Sequence, residues 1–198
     1  MKRYRRGFSL IELLVGVAIL GILLALSASS FRTWIGNMRI RTTAESILNG
    51  LQLARGEAVR RNALIRFQLV DNLTAGCALS TTASNWIVNM DPDNPAGRCD
   101  AAFLDESIPA AANLAPRILQ RRTAAEGSRN VLVAANQSFL IFNGLGRVTN
   151  AATIDVGPVA AVGNCPPFRC LRVTVSVGGQ IRMCDPAYPA GGTDPQRC

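Results

Sequence analysis

At 198 residues the chain has room for one packed domain with an attached segment, and 48% hydrophobic side chains is ordinary for a globular protein. It has no histidine, no nucleophile elbow and no phosphate-cradling glycine loop, so the usual catalytic patterns are missing and no catalytic residue is assigned. The formal charge of +8 drops to +4 without Lys2, Arg3, Arg5 and Arg6, because 17 cationic side chains then face 13 anionic ones, and charge alone names no partner.

The first element is the run FSLIELLVGVAILGILLALSA, residues 8 to 28, whose only charge is Glu12. About 20 residues of helix at 1.5 Å per residue cross a bilayer core, so the run predicts a membrane-spanning segment. The basic cluster before it should stay cytoplasmic, and the chain beyond Ser30 should face the periplasm or the outside. A carboxylate inside an apolar run costs roughly 2.5 to 3.5 kcal/mol on insertion scales, so it calls for a partner and a purpose. Neither an ordinary cleaved signal peptide nor a simple anchor gains anything from it.

The hexapeptide Gly7-Phe8-Ser9-Leu10-Ile11-Glu12, behind its short basic leader, resembles the class III leader of type IV pilins and type II secretion pseudopilins. The resemblance implies that prepilin peptidase cuts between Gly7 and Phe8 and methylates the new amine of Phe8. It also implies that Glu12 meets the N-terminal amine of a neighbouring subunit during assembly. The spacing suits this, since Glu12 lies four residues from Phe8 on one helix face, and a buried unpaired charge is far costlier than a paired one.

Past Phe31 the pattern turns amphipathic: Ile40, Ala44, Ile47, Leu51, Ala54 and Ala58 recur at spacings of four and three. No proline interrupts Phe8 to Asn62, which predicts one helix of roughly 55 residues, about 80 Å long at 1.5 Å per residue. Its first half would lie in lipid and its second on a domain. Gly16 and Gly21 are its possible weak points.

From Ala63 onward short β-rich runs follow: Leu64 to Val70, Trp86 to Met90, Asn130 to Val133, Phe139 to Asn143 and Leu171 to Cys184. The last reads as a hairpin turning at Gly178-Gly179, with Val173, Val175 and Val177 on one face and Arg172, Thr174 and Ser176 on the other. Segments 91–116 and 150–168, rich in Pro, Gly, Ala and Asp or Asn, read as loops. The expected fold class is α+β: a long N-terminal helix packed on an antiparallel β-sheet, as in type IV pilins.

Six cysteines, Cys77, Cys99, Cys165, Cys170, Cys184 and Cys198, follow the export-like N-terminus and read as three disulfides in an oxidising compartment. Cys77 with Cys99 is the natural pair by proximity, and the last four can pair in any of three ways. A zinc site would need clustered ligands, and there is neither histidine nor a C-x-x-C spacing. Asp91-Pro92-Asp93-Asn94 lacks the distal Glu of an EF-hand loop. No metal or cofactor is expected.

Three further pieces resemble the FimT, FimU and GspH group of minor pilins and pseudopilins: the helix end Leu53 to Asn62, the central Phe142-Asn143-Gly144-Leu145-Gly146, and the terminal stretch Gly179 to Pro186. This resemblance implies a low-abundance filament subunit that primes assembly at or near the tip, or its counterpart in a type II secretion pseudopilus. Its partners would be other minor and major pilins, prepilin peptidase and the inner membrane.

Some FimT-like pilins bind DNA through a Gly-Arg-x-Arg stretch at the terminal hairpin. Here the matching residues are Gly179-Gln180-Ile181-Arg182, with Gln in place of the first Arg. Arg169, Arg172, Arg182 and Arg197 are the candidate phosphate contacts, and pairing with Asp185 and Asp194 is their alternative role.

The expected division is a leader at 1–7, a transmembrane half-helix at 8–30, an amphipathic half-helix at 31–62 and a β-rich, disulfide-bonded domain at 63–198. The chain would be single-pass in the inner membrane with its domain periplasmic, then part of an extracellular pilus or a periplasmic pseudopilus.

Overall fold

A computed structural model of the protein describes residues 9–123, 130–159, 165–188 and 191–198. Among the described residues helix α1 (Leu10–Arg61) precedes eight strands: β1 (Ile65–Val70), β2 (Asn85–Met90), β3 (Ile118–Arg122), β4 (Val131–Ala135), β5 (Phe139–Phe142), β6 (Ala152–Pro158), β7 (Leu171–Val175) and β8 (Ile181–Cys184). The chain divides into two compact units, Met1–Ile35 and Gly36–Cys198.

In the first unit the apolar side chains of α1 from Leu10 to Leu24 stand exposed, and the rings of Phe31 and Trp34 stack 5.8 Å apart. Among the described residues no helix is long and apolar enough to cross a membrane. The apolar run is only partly among them, since residues 1–8 and the side chains of 25–29 lie outside the described set.

In the second unit α1 lays Ile40, Ala44, Ile47, Leu51, Ala54 and Ala58 into the core, each at most 1% exposed. The helix ends where the sequence supplies an asparagine that tolerates a left-handed backbone, Asn62 at φ 47°. The Ala63 N–H then donates to the Ala58 carbonyl and the Asn62 N–H to that of Val59, the Schellman pattern that satisfies the last carbonyls.

Two four-stranded antiparallel sheets follow, in the orders β3-β2-β1-β5 and β4-β6-β7-β8. On β1, Ile65, Phe67 and Leu69 share the core with the helix, together with Trp86, Val88, Leu140 and Phe142 from the same sheet. The opposite face of this sheet is also covered: Val70, Ile87 and Ile118 pack with Cys77 and Cys99 in a second, smaller core. The second sheet gives the main core Val133, Ala152, Ile154, Val156, Val173 and Val175.

Two sequence expectations need correcting. Segment 150–168 is not wholly loop, because Ala152–Pro158 is strand β6, the second strand of its sheet. Ala152, Ile154 and Val156 alternate inward as a strand demands, while Gly157 and Pro158, the residues that suggested a loop, stand at the strand's end. The hairpin turn is also wider than Gly178-Gly179: Val175 pairs with Ile181, so residues 176–180 form the turn. Val177 therefore leaves the Val173 and Val175 face and is 47% exposed.

Three disulfides close the molecule: Cys77–Cys99, Cys165–Cys170 and Cys184–Cys198. The first lies within the smaller core, against Val70, Ile87 and Ile118. The second encloses Phe168, which packs so tightly on the helix that a Cβ at Gly36 would stand 2.4 Å from its ring. Beside it the Arg169 N–H donates to Asn37 Oδ1 at 2.8 Å.

Candidate functional site

The start of α1 is built from the sequence Ser9-x-x-Glu12. The Glu12 N–H donates to Ser9 Oγ at 3.3 Å, so the Ser9 side chain caps one of the helix's unpaired donors, and the Leu13 N–H makes the first regular helical bond to the Ser9 carbonyl at 3.2 Å. Glu12 lies in the first turn, near the positive end of the helix dipole, and is exposed among exposed leucines, isoleucines and valines. It is the one ionisable side chain between Leu10 and Leu24. Such a carboxylate, brought out of water with its neighbours, would hold an ammonium group strongly. Gly7 and Phe8, the expected cleavage and methylation positions, lie outside the described residues.

The four candidate phosphate-binding arginines are not equivalent. Arg169 donates through Nε to Asp185 and through Nη2 to Gln196, each at 2.5 Å, and its guanidinium lies 5.9 Å from the Tyr188 ring. Arg172 holds both oxygens of Asp155, at 2.6 and 3.0 Å. These carboxylate bonds raise the pKa values of both arginines, so they stay charged, but Nε and Nη2 of each are already bonded. Arg182 and Arg197 are exposed and take part in no ion pair among the described residues. Arg182 stands opposite Thr174 across the β7–β8 ladder, while Arg197 bridges to Asp185 through its backbone. A cleft of about 400 Å³ opens beside the Arg172–Asp155 pair and the Cys165–Cys170 loop. Among the described residues no group of three or more Cys, Asp or Glu side chains could hold a metal ion.

A third place was not foreseen from sequence. The three pieces that carried the resemblance beyond the leader converge on the loop after β5. A Cβ at Gly144 would strike the Asn62 side chain at 2.3 Å, and one at Gly146 would lie 3.0 Å from Arg55 Nε and 3.2 Å from Val59. A Cβ at Gly179 would sit 1.8 Å from the Gly146 carbonyl oxygen. Gly146 and Gly179 both have positive φ, at 70° and 79°. The helix end, the central loop and the terminal hairpin thus touch through glycine at each contact.

Residues 43–179 match the protein family described as type II transport protein GspH, and residues 2–28 match the prokaryotic N-terminal methylation motif. The chain belongs to the GspH family. It is a type IV pilin-like protein of the FimT, FimU and GspH group, a class of structural filament subunits rather than known enzymes. The GspH match takes in the glycine junction, Arg169 and Arg172, and ends before Arg182 and Arg197.

Two crystal structures of the type IV minor pilin FimU from Pseudomonas aeruginosa are similar to this GspH-family chain. They share 14% and 15% identity, cover 79% of this chain and 98% and 93% of theirs, and have TM-scores of 0.46 and 0.47. The minor pseudopilin EpsH from the type 2 secretion system of Vibrio cholerae shares 14% identity over 76% of this chain and 99% of its own, with a TM-score of 0.43. Among curated proteins no relative matches.

Proposed function

We propose that this GspH-family protein is a minor type IV pilin: a low-abundance subunit that helps to prime pilus assembly and sits at or near the tip. It enters from the inner membrane, where prepilin peptidase cuts between Gly7 and Phe8 and methylates Phe8, and its domain faces the periplasm until assembly. The reading rests on Glu12, the lone carboxylate on an exposed apolar stretch of helix. Burying that stretch among other pilin helices would strand the charge unless it meets a cation, and the amine of a neighbour's first residue answers that need.

Replacing Glu12 by Val should leave leader cleavage intact while lowering the amount of subunit in purified filaments by about tenfold or more, given the several kcal/mol at stake in a buried pair. Incorporation at the wild-type level would remove the assembly role.

The second reading is a pseudopilin of a type II secretion system, favoured by the family description and by Gln180 in place of the first arginine of the DNA-binding stretch. The same fractionation separates the two. A minor pilin is recovered in pili sheared from the cell surface, and a pseudopilin stays with the cell envelope. Duplex DNA is the anionic partner that the terminal hairpin would take in the first reading, through Arg182 and Arg197.

A further inference from the structure

The loop that joins β5 to Val148 is fixed from every side, yet it holds a leucine out in water. Asn143 Oδ1 accepts the N–H groups of both Leu145 and Arg147 at 3.0 Å, and the Asn143 carbonyl accepts the Gly146 N–H at 2.7 Å. The Asn143 N–H in turn donates to the Arg147 carbonyl at 2.9 Å. Behind the loop stand the glycine contacts with Asn62, Arg55, Val59 and Gly179. Leu145, at the tip, is 77% exposed, and neighbouring Val59 is 53% exposed. A lone exposed leucine on a loose loop needs no explanation. This one is different because its backbone is already ordered, so a partner that buries it loses little conformational entropy on binding.

The charges around it say what kind of partner fits. Arg55 and Arg147, on either side of Gly146, are exposed and form no ion pair among the described residues. By contrast Arg41, Arg60, Arg61, Arg66, Arg117 and Arg172 each hold a carboxylate. A second copy of this chain is a poor occupant, because among the described side-chain carboxylates of its folded domain only Asp100 stands outside an ion pair or a turn of its own, and one carboxylate does not border a pocket for two guanidinium groups. Its Asp71, Asp105 and Asp194 accept N–H groups of their own turns.

We propose that Leu145 is the anchor of a contact with a different subunit of the filament, one that offers an apolar pocket bordered by carboxylates to receive Leu145 between Arg55 and Arg147. The proposal rests on the filament reading above. The occupant gains apolar burial from Leu145 and Val59, and electrostatic register from the two guanidinium groups.

The test uses the full chain in filament-forming cells, with a photo-crosslinking residue at position 145 and, separately, the variants Leu145→Asp, Leu145→Met and Arg147→Glu. Irradiated filaments should yield a discrete adduct with another filament subunit, at a site flanked by Asp or Glu. Leu145→Asp and Arg147→Glu should each reduce incorporation about tenfold, the scale of an interface hot spot. Leu145→Met should keep it, and all three should accumulate in the membrane as disulfide-closed subunits. An adduct only between copies of this chain, no adduct in filaments that contain it, or wild-type incorporation of Leu145→Asp overturns the contact while the filament reading stands. Absence of the wild-type chain from every filament fraction overturns the filament reading and the identity of the occupant together.

Discussion

Asp93 shows how a residue inside a segment that reads from sequence as loop becomes structural. It receives the Arg117 Nε–H at 2.7 Å and the Arg117 backbone N–H at 2.9 Å, and both side chains are largely buried. The hydrogen bonds from the Arg117 side chain hold the Asp93 carboxyl below its ordinary range, against a smaller opposing push from burial. A carboxyl whose folded pKa is depressed stabilises the fold above its unfolded value, near 3.9, and loses that contribution as pH falls through the folded one. Asp93→Asn should therefore destabilise the domain by about 1.5 to 3 kcal/mol at pH 7, the range for a hydrogen bond to a charged group. The difference from wild type should shrink below about pH 4. Denaturant midpoints measured from pH 7 down to pH 2.5 check this, and a gap that stays constant with pH would show that Asp93 acts through shape rather than charge.

At the scale of elements, legibility followed periodicity. The stripe from Ile40 to Ala58 was plain because four- and three-residue spacing has one structural meaning, and Asn62 ends the helix with the backbone conformation asparagine tolerates. Strand β6 was hidden because Gly157 and Pro158 are loop residues by composition and strand residues only through their pairing with Leu132 and Val131 of β4. The glycine junction was hidden for a different reason. Its touching residues lie far apart in sequence, from Gly146 to Gly179 and from Arg55 to Gly146, and nothing local in Gly146 or Gly179 says which backbone each must approach.

The hairpin makes that point testable with adjacent residues. Gly179→Ala would combine a positive φ with a Cβ placed against the Gly146 carbonyl and should cost about 2 to 3 kcal/mol. Gly178→Ala meets nothing closer than 3.8 Å, so its effect should stay within about 0.5 kcal/mol. Unfolding followed by the fluorescence of buried Trp86 reads both, and equal losses would mean that the junction is looser than its geometry requires.

Over the whole molecule, the cationic excess is smaller where it is wanted for DNA than the arginine count suggests. Of the four candidate contacts, Arg169 and Arg172 are held in ion pairs with Asp185 and Asp155, which leaves Arg182 and Arg197 outside any ion pair among the described residues. Each phosphate neutralised contributes about −0.9 to the slope of log affinity against log salt, so two contacts give a slope near −2. Duplex binding by the detergent-solubilised full chain should then be weak and should fall only about tenfold between 50 and 200 mM salt. Arg182→Ala should flatten the slope by about one, uniformly across sequences. A slope of −4 or steeper would mean that Arg169 and Arg172 leave their carboxylates to reach phosphate. In that event Asp155→Asn, which frees Arg172 beforehand, should tighten binding, whereas a pair that stays closed leaves Arg172 unable to contribute and binding no tighter than the lost negative charge alone explains.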